Sequence, residues 1–66
     1  MTTDELRRVA SALVPPVGAT GVCAVVDDGA YRAAWVIEGR RKVPVGPRFE
    51  KPRDAYRFVD VLAGDR

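Results

Sequence analysis

Apolar residues recur along this chain with two periods, and the change from one to the other divides it. In TTDELRRVASALV, residues 2–14, Leu6, Val9, Ala10 and Leu13 fall at i, i+3, i+4 and i+7, one stripe of an amphipathic helix. Thr2 followed by Glu5 is a capping-box pattern, and Asp4 adds negative charge at the helix N-terminus. Arg7, Arg8 and Ser11 occupy other faces. Pro15-Pro16 ends the helix, because proline disfavours helical geometry in the residue before it. The same stripe returns in Ala55, Phe58, Val59 and Leu62, widened by Tyr56 and Val61. It predicts a second helix over residues 52–63, with Pro52 at its first position, Asp54 in its first turn and Gly64 as its stop.

Between the helices the period drops to two. Gly21 to Gly46 reads GVCAVVDDGAYRAAWVIEGRRKVPVG, three short apolar runs separated by Asp-Gly and Glu-Gly. A two-residue type I′ turn at Asp28-Gly29 sets Val26 opposite Tyr31, Ala24 opposite Ala33 and Val22 opposite Trp35, all on one face. The other face carries Cys23, Val25, Arg32, Ala34, Val36 and Glu38. The second turn allows two registers. A type II′ turn at Gly39-Arg40 sets Val43 opposite Val36 and Val45 opposite Ala34. A three-residue loop sets Val43 opposite Ile37 and Val45 opposite Trp35, and is preferred because it keeps one face wholly apolar. Pro44 lacks a ladder donor, so the third strand is expected at an edge. Residues 15–20 are a connector, and residues 46–51 a loop anchored by Phe49.

The expected fold is α+β: a two-layer, three-stranded antiparallel meander flanked by N- and C-terminal helices (αβββα), in one domain spanning residues 1–66. One apolar sheet face implies that both helices pack on it. Two apolar faces would require covering on both sides, by helices or by another chain.

Composition sharpens this picture in two ways. A 66-residue chain is near the lower limit for folding alone, and with aromatics at only 8% the core is either tightly packed or completed by a homodimer partner. Charge is also uneven. Residues 1–38 hold three basic against five acidic side chains, whereas residues 39–57 hold Arg40, Arg41, Lys42, Arg48, Lys51, Arg53 and Arg57 against Glu50 and Asp54. The middle segment alone exceeds the chain's net charge of +2.

The chemistry available is limited. There is no histidine, hence neither the commonest general base nor the commonest metal ligand. Cys23 is the only cysteine, and its Val/Ala surroundings read as those of a buried, inert thiol. Asp27 and Asp28 before Gly29 are turn residues rather than metal ligands. Trp35 and Tyr31 alternate with Ala33 and Ile37, which points to core packing rather than base stacking. No nucleophile with a base, no acid–base pair and no Gly-rich phosphate loop can be assembled. The expectation is a non-enzyme with no cofactor, metal or small-molecule substrate. No apolar run is long enough to span a membrane, and the default location is cytoplasmic.

The seven basic residues are therefore the candidate site. Arg40, Arg41 and Lys42 gather at a hairpin tip, and Arg48, Lys51, Arg53 and Arg57 follow into the second helix. Together these present cations to a phosphate backbone. The competing explanation is that they guard an exposed strand edge against aggregation. The helix–three strands–helix order resembles the double-stranded RNA-binding fold, whose last helix opens on a Lys-Lys-x-Ala-Lys type cluster. Here that place holds Lys51-Pro52-Arg53-Asp54-Ala55-Tyr56-Arg57, departing from the pattern at Asp54 and Tyr56. Residues 31–62 also look like the arm-type DNA-binding domain of phage-type tyrosine integrases, through Trp35, the Gly39-Arg40-Arg41 turn and the spacing of Phe49, Ala55 and Phe58. Both resemblances imply a small binding module that contacts DNA or RNA. The alternative expectation is a self-associating protein–protein interaction module, an accessory or inhibitor protein, acting through an apolar sheet face.

Overall fold

The capping box at the start of the chain forms as its residues dictate. In the computed structural model, which describes residues 2–64, the Thr2 hydroxyl accepts the Glu5 N–H at 3.3 Å. The Glu5 carboxylate accepts the Thr2 N–H at 3.1 Å. Helix α1 spans Thr3–Ser11. It stops short of residue 14, the expected end. Ala12 N–H bonds to the Val9 carbonyl at 3.1 Å and Leu13 N–H to that of Ala10 at 3.0 Å, so the last turn tightens to i→i+3 bonding. Val14, just before Pro15, stays out of the helix.

Three antiparallel strands follow in the order β1 (Ala19–Asp27), β2 (Ala30–Ile37) and β3 (Arg41–Phe49). The first hairpin has the predicted register, with Val26 opposite Tyr31, Ala24 opposite Ala33 and Val22 opposite Trp35. Its turn residues Asp28 (φ 52°) and Gly29 (φ 78°) both take the positive φ of a type I′ turn.

The second hairpin adopts neither expected register. Trp35 faces Val43, Ala33 faces Val45 and Ile37 faces Arg41. Glu38 (φ 53°) and Gly39 (φ 70°) supply the positive angles. The Arg40 N–H closes the turn on the Ile37 carbonyl at 3.0 Å. The preferred face is correct, since Val43 and Val45 do lie on the Trp35 side, but the pairing slides by two residues. The reason is that Gly39 is the second central residue of the turn, not the first, and Glu38 takes the other left-handed position. Thr20, at the β1 bulge between Ala19 and Gly21, locks this turn. Its hydroxyl accepts the Gly39 N–H at 3.0 Å and donates to the Val36 carbonyl at 3.3 Å.

Both connectors are shorter than expected, because β1 begins at Ala19 and β3 continues to Phe49. A second irregularity, where Tyr31 faces Phe49 but Ala33 faces Val45, bends β3 near Gly46 and brings it under helix α2 (Pro52–Gly64). Pro52 opens α2 as predicted. The helix includes Gly64, and the residues beyond that expected stop lie outside the described ones.

Both helices cover one sheet face. Phe58 and Leu6 are fully buried, packed with Trp35, Ala33, Phe49 and Leu62. Phe49 is the anchor its sequence position implies, with its ring centroid 5.9 Å from that of Phe58. Tyr56 departs from the expected stripe and is 60% exposed, one position off the buried row of Ala55, Phe58 and Leu62. On the opposite sheet face Cys23 is half-buried and free, beside a fully buried Ala34. Among the described residues, no helix is long and apolar enough to cross a membrane.

Candidate nucleic-acid interface

β3 pairs only with β2, so its other side is an open edge. This edge carries most of the predicted basic residues. Arg40 sits in the turn that leads into β3, Arg41 and Lys42 begin the strand, and Arg48 lies near its end. Strand alternation sends Arg41 to the same face as Val43 and Lys42 to the opposite one. Lys51 precedes α2. Arg53 and Arg57, four residues apart, share one side of its first turns.

The structure does not gather the seven cations into one patch. At about 3.3 Å per residue, the seven steps from Arg41 to Arg48 span roughly 20 Å. The cations therefore form two groups, one at the β2–β3 tip and one where β3 hands over to α2. Arg40, Arg41, Lys42, Lys51, Arg53 and Arg57 are exposed. None of the six has an ion-pair partner among the described residues, where the only two ion pairs involve Arg32 and Arg48. Glu50 and Asp54, the acids placed to neutralise part of the segment, pair with none of them.

Arg48 is engaged differently. Its guanidinium donates to the Asp27 carbonyl at 3.2 Å and to the Asp28 carboxylate at 3.3 Å. It thereby ties the end of β3 to the first hairpin turn. Arg32 was not among the sequence-predicted residues, and it makes a similar strap. It pairs with Asp27 at 2.7 Å and donates to the Gly46 carbonyl at 3.0 Å, reaching from β1 to β3 across the strand between them. Its Nε is buried with no hydrogen-bond partner. The sequence signal for this strap was Arg32 in an otherwise apolar run, diagonal to Asp27 on the same face of the hairpin.

A concavity of about 520 Å³ opens where the C-terminal ends of α1 and α2 overhang the start of β1, with Trp35 in its wall. Leu13, Pro15, Val22 and Leu62 also line it, and the Ser11 hydroxyl and the Trp35 indole N–H are the polar side-chain groups there. The Ser11 hydroxyl donates to the Arg8 carbonyl at 2.8 Å, and no acidic or basic side chain lines the groove to activate it. Trp35, 9% exposed, packs into the core as its alternation indicated. Among the described residues, no three acidic or cysteine side chains converge as metal ligands would.

A duplex carries one phosphate per ~3.4 Å of axis on each strand, so an edge of roughly 20 Å runs past about six phosphates of one strand. Six cations without an ion-pair partner among the described residues, three at one end of this edge and three where it hands over to a helix N-terminus, suit anionic backbone contact without base readout. The chain matches no family model, no curated protein and no solved structure.

Proposed function

We propose that this chain is a small, non-enzymatic, cytoplasmic binding module that contacts nucleic-acid backbone through its β3 edge and the start of α2. The observation that carries the reading is the set of six exposed cations with no ion-pair partner among the described residues. Guarding the edge accounts for Arg41 and Lys42 on β3 itself. It does not account for Lys51, Arg53 and Arg57, which lie off the strand. The topological resemblance to double-stranded RNA-binding and integrase arm-type domains points the same way.

The rival expectation, self-association through the sheet face turned away from the helices, has less behind it. Arg32 and Asp27 occupy that face with an ion pair, and Ala34 at its centre is already fully buried. Paired charges and a shallow apolar strip suit a solvated surface better than an interface core.

Two charge-reversal pairs test the reading, measured by fluorescence anisotropy on mixed-sequence duplex and single-stranded DNA and RNA. Arg40→Glu/Arg41→Glu removes the tip group and Lys51→Glu/Arg53→Glu the helix group. Each is expected to weaken binding about ten-fold or more, with the circular dichroism spectrum unchanged. Equal affinity of both variants and the wild-type chain would end the nucleic-acid reading.

A further inference from the structure

The two edges of the sheet are built differently, and the difference concerns what each can pair with. β3 is protected in several ways. Pro44 and Pro47 lack N–H donors, Arg41 and Lys42 place charge on the strand, and the irregularity near Gly46 bends it. These features block strand addition. β1, reading ATGVCAVVD, has no proline and no charge before Asp27.

The first turn fixes which β1 groups face outward. A two-residue hairpin makes its closing pair, Asp27 and Ala30, a hydrogen-bonded one. Alternation then gives Val25, Cys23 and Gly21 inward bonds to β2 and leaves the N–H and C=O of Val22, Ala24 and Val26 pointing away from the sheet. These groups have no other backbone partner among the described residues. Beside them the Val26 side chain, on the helix-bearing face, is 69% exposed.

We propose that β1 pairs antiparallel with β1 of a second copy of this chain, about a two-fold axis at Ala24. The pattern is self-complementary in that register alone. Val22, Ala24 and Val26 meet Val26, Ala24 and Val22 of the other copy, so every outward donor and acceptor on the three residues finds a partner. The exposed Val26 comes to lie against Val22 of the other chain, at the rim of the apolar groove that Val22 lines. On the other face Cys23 stands opposite Val25. Asp27 falls opposite Gly21, so no like charges meet. A different partner strand would have to supply the same run of donors and apolar side chains, which a second copy supplies by construction. The result is a continuous six-stranded sheet with a β3 at each end. Every cation of the proposed nucleic-acid edge stays free, and the two proposals stand or fall separately.

Sedimentation equilibrium of the full chain from low micromolar to millimolar concentration tests this, beside Val26→Lys and Val26→Pro. Position 26 is exposed and its N–H points outward, so both variants should keep the monomer's circular dichroism spectrum and thermal transition. The wild-type chain should reach the mass of two chains, and the variants should shift the dissociation constant by about ten-fold or more. The register has its own readout. Val25→Cys should form a disulfide-linked dimer on mild oxidation through Cys23 of the other copy, and Val25→Cys/Cys23→Ser should not, because two residues at position 25 are offset along the strands. A wild-type chain that stays monomeric throughout, or variants that associate as it does, would overturn the proposal. Cross-linking of the double variant would overturn the register.

Discussion

Gly46 shows how much one residue can carry in so small a core. Its φ of 81° is in the left-handed region, and a Cβ there would lie 2.6 Å from the Phe58 ring. Phe58 is fully buried and cannot step aside. Gly46→Ala therefore adds backbone strain to overpacking, and should cost about 2–4 kcal/mol. Chemical denaturation should show a lowered midpoint with an unchanged slope. Against a total stability of about 3–10 kcal/mol for a chain of this size, that is a large share. A Gly46→Ala variant as stable as the wild type would mean that Phe58 does not pack on this strand. Nothing in the sequence marks Gly46 in this way. It stands in a Pro-x-Gly-Pro run that reads equally as loop, and the contact with Phe58 joins residues twelve apart.

The helices and the first hairpin were legible because each rests on a local rule. A capping box, an apolar stripe and an Asp-Gly pair each fix geometry within a few residues. The second hairpin was not, because Glu38 replaces the Asn or Asp that usually announces a left-handed first position. With Gly39 as the only visible signal, the turn could be centred one residue either way. The helices also make a pH prediction. The Thr2 N–H and then the Thr2 hydroxyl, both bonded to the Glu5 carboxylate, hold its pKa below the ordinary 4.5. A folded-state value below the unfolded one means the cap's contribution is complete above the unfolded value. It is lost as pH falls through the folded one. A carboxyl-detected NMR titration should place Glu5 below 4.5, with the amides of the first α1 turn fraying over the same pH range. Thr2→Ala removes the hydroxyl bond but keeps the backbone N–H, and should raise the Glu5 pKa only part of the way back. An unshifted Glu5 in the wild-type chain would mean that the box does not form in solution.

At the scale of the molecule, the sequence located the excess charge but not its distribution. Seven cations in nineteen residues look like one cluster when read along the chain. Extending β3 to Phe49 separates them into two groups and commits Arg48 to the Asp28 carboxylate. The two edges likewise look similar as strings of Val and Ala, and only the pairing order exposes one and guards the other. Because the basic edge and the β1 edge lie on opposite sides of the sheet, backbone binding and self-pairing can be measured independently.

Free cations that meet phosphate make affinity fall as salt rises, and a salt titration of binding is the measurement to make. Each neutralised phosphate contributes about −0.9 to the slope of log K against log salt on a duplex, so engaging most of the six predicts a slope of roughly −3 to −5. Arg53→Gln should reduce its steepness by about one unit. A slope near zero, or no binding at low salt, would contradict the account.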